Sequence, residues 1–219
     1  MTPTAISESL TGLDKLTNQM LNIAMARRVF LLLTRAHYSS ASHYGHLAGP
    51  LSNCIWSADP ALCTLQVDYD YNYDPTKTDR RPAVFVGCGD LIMQRKVIDN
   101  SSRVTDDGRG EEFVNVGGYP VIIRHIGKTP DESLLLADLT FQFYLGIRKL
   151  LKHKAQLRMF DIAGVSTTRP FERTGEKVDP TFMADVKLSV ECNMSWLTVT
   201  ESHVIKSTNF EQIVSTFDP

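Results

Sequence analysis

The sequence feature that most constrains the fold is a long alternation of apolar and polar residues between Ala184 and Trp196. Side chains of a strand point to opposite faces at successive residues, so this alternation predicts a strand buried on one face only. About thirteen residues at roughly 3.3 Å each would span about 43 Å, whereas strands usually have about five or six residues. A domain of this size has a radius of gyration of about 17 Å. We therefore expect the strand to reach past the body of its domain, where its apolar face needs cover from a barrel wall, a neighbouring subunit or a bend with a turn.

Composition and charge bound the class of protein. The chain has 219 residues, of which 42% are hydrophobic, enough for one sizeable core. A net charge of −2 gives no overall positive field that would attract nucleic acid or an anionic membrane. The four cysteines never form a Cys-x-x-Cys pair, and the longest apolar run, residues 29–33, is far too short for a bilayer. With no signal peptide visible either, we expect a soluble intracellular protein without structural disulfides.

The order of patterns predicts an α+β fold with a mainly antiparallel sheet. An amphipathic helix is expected from Leu13 to Leu33, because apolar residues recur there at spacings of three and four. Strands are expected at 67–74, 83–88, 91–98, 119–126 and 159–165, and polar loops at 99–112 and 166–181. The second loop would join the preceding strand to the long strand as a hairpin. We expect residues 1–82 to be a helix and irregular extension and residues 83–219 an α+β domain, together one continuous unit.

A central helix is predicted after Thr129. Thr129 is the expected N-cap, Pro130 takes the first helical position, and Glu132 completes a capping box. The apolar stripe of this helix is wide, which indicates burial against more than one surface. Cations gather near its end: Arg148, Lys149, Lys152, Lys154 and Arg158. Favourable interaction with the helix dipole explains such a cluster, and a patch facing an acidic partner or a phosphate backbone is the alternative.

Cys88 is the one candidate nucleophile. It lies between two glycines after a predicted strand, and His125 is the histidine that could act as its base. However, no helical pattern follows Gly89, as the sharp turn of a hydrolase nucleophile requires. An inert thiol at the end of a strand is the favoured interpretation.

Two further groups have the residue types of metal sites without the right spacing. His37, His43 and His46 match no common zinc site, and a solvated loop is the better explanation. Asp68, Asp70 and Asn72 copy the first ligands of a calcium loop, but Tyr73 stands where that loop needs glycine. We therefore predict no catalytic residue, no cofactor and no metal site, and a protein that is not an enzyme.

The chain from Ala83 to about Thr200 resembles the tail-terminator and tail-completion proteins of tailed bacteriophages. The resemblance rests on element patterns in these segments: Pro82–Gly87, Tyr119–Arg124, the capped helix from Thr129 through Leu145, Met159–Ile162, and Met183–Thr200 with Trp196 near its end. It covers a little over half of the chain.

Proteins of that family form rings, commonly hexameric, that cap the tail tube and join it to the head connector. The resemblance implies a virion structural protein at the neck, assembled in the host cytoplasm, whose partners are copies of itself, the tail tube protein and connector or adaptor proteins. No membrane partner is expected, and DNA crossing the lumen is an open candidate partner for the basic cluster. The candidate subunit interface consists of Val190, Cys192, Met194 and Trp196 on the strand and Phe141, Tyr144 and Leu145 on the helix.

Two alternatives are kept. The chain could be another phage morphogenesis protein, such as a connector or tube component, in which a long hairpin would be equally suitable. It could also be a small cysteine hydrolase that uses Cys88.

Overall fold

The computed structural model of the chain describes residues 22–47, 49–72, 82–94, 101–104, 110–171 and 181–199. Side chains are described at these positions except residues 94, 101–104, 110–114, 171 and 194–199. Leu13 and the other positions before residue 22 of the predicted N-terminal helix lie outside the described residues.

Helix α1 spans Ile23–Tyr38. It begins after Asn22, whose Oδ1 accepts a hydrogen bond from the backbone N–H of Ala24 at 2.9 Å. A short 3₁₀ segment, Ala41–Leu47, follows it. Eight of the sixteen residues of α1 are buried, so the helix is an inner part of the molecule and not an outlying extension.

Helix α2 spans Pro130–Lys154. The predicted N-cap is confirmed, because Thr129 Oγ1 accepts from the N–H of Glu132 at 3.1 Å. The second bond of the capping box is shifted by one residue: Glu132 Oε2 accepts from the N–H of Lys128 at 2.6 Å and not from that of Thr129. Because these signals are local in sequence, the start of α2 could be predicted to the residue.

Eight strands of one mixed sheet are formed within the described residues. They are β1 (Gln66–Tyr69), β2 (Ala83–Cys88), β3 (Ile92–Gln94), β4 (Ser101–Val104), β5 (Gly110–Gly127), β6 (Met159–Val165), β7 (Arg169–Phe171) and β8 (Thr181–Val199). The main path is β1-β2-β5-β8-β6, with β3 and β4 also on β5 and β7 on β8. Only β1 and β2 pair in parallel among these strands, so the predicted α+β class with a mainly antiparallel sheet is confirmed.

Strands β5 and β8 form the long central pair of the sheet, and we call this pair the ribbon. They pair without interruption from Gly127↔Phe182 to Gly110↔Val199. The 18 residues of β5 extend over about 60 Å at roughly 3.3 Å per residue. The long strand predicted from Ala184 to Trp196 therefore exists and is longer at both ends.

Two predicted loops and one predicted strand are wrong in part. Ser101–Val104 forms β4 and β5 begins at Gly110, so residues 99–112 are not a continuous loop. In the predicted 166–181 loop, Arg169–Phe171 forms β7 and pairs with the first residues of β8. The strand predicted over 67–74 ends at Tyr69 and continues as a 3₁₀ turn. In the first two cases the backbone finds hydrogen-bond partners across the sheet that local sequence does not reveal.

The main core lies between the two helices and one face of the sheet. Five alternate side chains of β8 that face the helices are buried in this core: Ala184, Val186, Leu188, Val190 and Cys192. A single cluster of buried residues runs from Ala26 in α1 to Cys192 in β8, so residues on both sides of position 82 share one core. A second, small cluster of Ala83, Phe85, Ile126 and Met183 lies on the opposite face.

Candidate assembly surface

The strand residues expected at a subunit interface divide into two pairs. Val190 is fully buried and Cys192 is 4% exposed, both within the core of the single chain. The expectation that these two contact a neighbour is corrected, because side chains already covered by their own chain offer no area to another. Met194 and Trp196 take the strand positions opposite Asn115 and Phe113. Their side chains lie outside the described residues.

Tyr144 on α2 is also a core residue. Its hydroxyl lies 3.0 Å from Thr34 Oγ1 and donates to the carbonyl of Phe30 at 3.2 Å, so α1 covers it. Burial raises the pKa of this phenol above its ordinary value. The predicted interface role of Tyr144 is therefore wrong, since its side chain packs against α1 of the same chain.

Phe141 and Leu145 lie on the outer side of α2. Phe141 is half-buried and packs against the rim of the core, whereas Leu145 is 50% exposed. They share this outer side with Leu134, which is 42% exposed, and with Asp138, which accepts a hydrogen bond from Gln142 at 2.7 Å. The outer side of α2 is thus a mixed apolar and charged surface with no described element packed on it.

Two arginines of the basic cluster at the end of α2 are paired with acidic residues of the same chain. Arg148 lies 3.1 Å from Asp161 and also donates through Nε to the carbonyl of Phe160. Arg158 Nε lies 3.9 Å from Glu191. The acids were missed because they come from β6 and β8, and no acid is interleaved in the sequence of the cluster.

The lysines of the cluster differ from the arginines. Lys149 and Lys152 are exposed and form no ion pair with another described residue. Lys154 is half-buried and already interacts with another group. The charge left for a partner is therefore centred on Lys149 and Lys152.

Asp185 is a buried charge that sequence reasoning did not identify. Its side chain is 6% exposed and accepts from Arg124 at 3.2 Å and from Arg169 at 3.0 Å. The hydroxyl of Ser166 accepts from its backbone N–H at 2.8 Å. Through these contacts Asp185 connects Arg169 of β7 and Ser166, just after β6, to strands β5 and β8. In the sequence Asp185 is only one polar residue of the alternating pattern, so its ion pairs could not be predicted.

Cys88 and His125 are not arranged as a nucleophile and its base. His125 lies opposite Val84 in the pairing of β2 with β5, four residues from Cys88, which is about 13 Å along a strand. Both nitrogens of His125 face other partners, Thr140 Oγ1 at 2.7 Å and the carbonyl of Ala184 at 3.2 Å. Burial raises the pKa of the Cys88 thiol to about 11, with Arg27 opposing the shift. The hydrolase alternative therefore loses the pair of residues on which it depended.

The histidines predicted to lie in a solvated loop are placed differently. His37 belongs to α1, is 4% exposed and stacks on Phe143 with 4.3 Å between ring centroids. His43 Nδ1 lies 3.1 Å from the carbonyl of His37, and His46 is exposed. The described residues contain no group of three or more His, Cys, Asp or Glu side chains that could hold a metal ion.

The acidic residues near β1 are engaged locally. Asp68 Oδ1 accepts from the backbone of Tyr69 and from the Asn72 side chain, and it lies 3.6 Å from Arg35. Asp70 accepts from the N–H of Tyr71. Both carboxylates therefore have partners within the chain.

Neither a scan against protein-family models nor a search of curated proteins finds a match for this chain. In the described part of the chain, no helix combines the length and the apolar character needed to cross a membrane.

Proposed function

We propose that the chain is a structural subunit of a bacteriophage neck, forming a ring that ends the tail tube and joins it to the head connector. The partners would be copies of itself, the tube protein and connector or adaptor proteins. The support is the resemblance of the element pattern together with one feature of the ribbon, the backbone edge of β8 beyond β6.

That edge is the observation that carries the proposal. The last pair between β6 and β8 joins Met159 to Glu191, and no described strand lies beside Asn193–Val199 on that side. Seven residues of edge, about 23 Å at roughly 3.3 Å each, offer backbone donors and acceptors to another chain. Strand addition to such an edge is a common mode of protein association.

The direction of the backbone groups can be assigned. The carbonyl of Glu191 accepts from the N–H of Arg158 at 2.9 Å, so Glu191 faces the β6 side. Because backbone groups alternate along a strand, Asn193 and Ser195 point their N–H and C=O groups to the same side, away from β5.

The first test is assembly of the intact chain with purified tails. We expect native mass spectrometry to show a ring-forming oligomer, alone or once tails are added, and electron microscopy of tagged protein to place it at the neck. A position in the tube or in the connector would support the alternative morphogenesis role instead. A protein that stays monomeric and does not bind tails would contradict both.

The second test blocks the edge. Ser195→Pro removes one N–H that points away from β5 and leaves the hydrogen bonds to β5 in place. Proline is tolerated at such a position of an edge strand. We expect loss of assembly with an unchanged far-UV spectrum. Ser195→Ala, which keeps the N–H, is the matched control and should assemble normally; equal assembly of both variants would rule out strand addition at this edge.

A further inference from the structure

The outer side of α2 has the pattern of a second helix-packing seam. Leu134, Asp138, Phe141, Leu145, Lys149 and Lys152 follow one another at spacings of three and four residues. Residues at these spacings share one face of a helix. We call this row the α2 seam; it covers 18 residue steps, about 27 Å at roughly 1.5 Å per residue.

The seam is exposed although it is partly apolar. Leu134 is 42% and Leu145 50% exposed, and a side chain added at the neighbouring Gly146 would meet nothing within 4 Å. Helices that bury apolar residues at such spacings normally pack against another helix. Within the described residues, no element of the same chain does so.

The charges of the seam are arranged symmetrically about its middle. Asp138 and Lys149 lie equally far, in opposite directions, from the point midway between Phe143 and Tyr144. Two copies of α2 packed antiparallel about that point would place Asp138 of each copy beside Lys149 of the other. The same arrangement would bring Leu145 of each copy against Phe141 and Gln142 of the other.

We propose that the α2 seam binds a second copy of this chain, as an antiparallel helix pair about a two-fold axis. The occupant is a second copy because the seam is complementary to itself in charge, with an acid in one half and lysines in the other. Such a contact is isologous and closes on two copies, so it goes beyond the ring, which needs a heterologous contact. Two chains, or two rings face to face, would be joined by it.

The main test is the mass of the assembled protein by analytical ultracentrifugation. A standard interface buries about 800 Å² on each partner, and a single helix pair buries less. We therefore expect association at micromolar concentrations. Leu145→Glu should halve the mass of the wild-type assembly. Leu32→Glu is the matched control, because Leu32 is 54% exposed on α1, outside the seam, and it should leave the mass unchanged.

A charge exchange tests the orientation. Asp138→Lys and Lys149→Glu, each alone, place like charges opposite one another twice and should weaken association about tenfold. The double variant Asp138→Lys/Lys149→Glu restores opposite charges and should recover most of the affinity. Association of the double variant no better than that of the single variants would overturn the antiparallel arrangement.

A cross-link separates this contact from other oligomers and does not depend on the tail-binding role. Under mild oxidation Gln142→Cys, close to the axis, should give a covalent dimer. Lys152→Cys, also at an exposed position but about 25 Å from its symmetry mate, should not. A wild-type protein that is monomeric at micromolar concentrations, or an unchanged mass for Leu145→Glu, would refute the two-fold contact while leaving the ring proposal to its own test.

Discussion

His37 is a polar residue whose burial lowers the stability of the fold. Both of its ring nitrogens are buried and have no hydrogen-bond partner among the described residues, and its ring stacks on Phe143. Burial, with a smaller contribution from His43, lowers its pKa from 6.5 to about 3. His125 is also buried, and its pKa is likewise lowered to about 3. The folded chain therefore keeps both imidazoles neutral.

The direction of the pH dependence follows from these two shifts. The unfolded chain takes up protons near pH 6.5, whereas the folded chain does so only near pH 3. Stability from these groups is therefore complete above about pH 6.5 and is lost as the pH falls toward 3. Each histidine contributes a slope of about 1.4 kcal/mol per pH unit in that window.

We expect His37→Phe to stabilise the protein and to reduce its acid sensitivity. Phenylalanine keeps the stacking on Phe143 and removes two buried polar atoms that have no partner among the described residues, which should raise the free energy of unfolding by about 1 kcal/mol at neutral pH. Urea unfolding at about pH 7.5 and about pH 5.5 measures both effects. His46→Gln, at an exposed position, is the control, and an unchanged pH slope in His37→Phe would show that this histidine is not the sensitive group.

At this scale, sequence reasoning succeeded where partners are close in the chain. The Thr129 cap was predicted because its partner is three residues away. Asp185 was not, because Arg124 is 61 residues away and Arg169 belongs to a strand inside an expected loop. Tyr144 was assigned to a surface because a wide apolar stripe does not reveal whether a neighbour in the same chain or in another covers it.

Among the elements, β8 has two halves with different surroundings. Its first half is covered by α2 on one face and paired on both edges, as the burial of Leu188 at 1% exposure illustrates. Its last residues pair only with β5 among the described strands. The alternating pattern is the same in both halves, so sequence could predict the strand but not the change of environment along it.

We expect substitutions in the two halves to have different effects. Leu188→Ala should lower the free energy of unfolding of the isolated chain by about 2–5 kcal/mol, because it leaves a cavity in the core. Trp196→Ala should weaken assembly more than it changes that free energy. Chemical denaturation and native mass spectrometry of both variants separate the two effects. A similar loss of stability in both would mean that the end of β8 is ordinary core.

β5 was predicted at half its length. The apolar pattern over 119–126 predicts a strand, but residues 110–112 fall in the polar loop predicted over 99–112, and residues 113–118 are assigned to neither. In the folded chain these residues pair along β8, and β3 and β4 take the other edge. Tertiary pairing thus decides the conformation of a segment whose own sequence favours another.

For the whole molecule, the shared core predicts a single unfolding transition. Phe30 of α1 stacks at 6.1 Å on Phe160 of β6, and Tyr38 donates to the carbonyl of Leu136, so the N-terminal helix is part of the main core. The chain has two tryptophans. In a Trp196→Phe variant, Trp56 fluorescence should report the N-terminal region and should change at the same urea concentration as the far-UV signal. Separate midpoints would show two independently stable units.

The order in which the ribbon is made has a cost during synthesis. Every residue of β5 pairs with one at least 55 positions later, from Gly127↔Phe182 to Gly110↔Val199. During translation, the edge of β5 that pairs with β8 therefore stays unpaired while α2 and β6 are synthesised. Contacts of such long range slow folding, and an open edge in the interval is a site for wrong partners. Until β8 leaves the ribosome, the unpaired edge of β5 must therefore be protected from pairing with other chains.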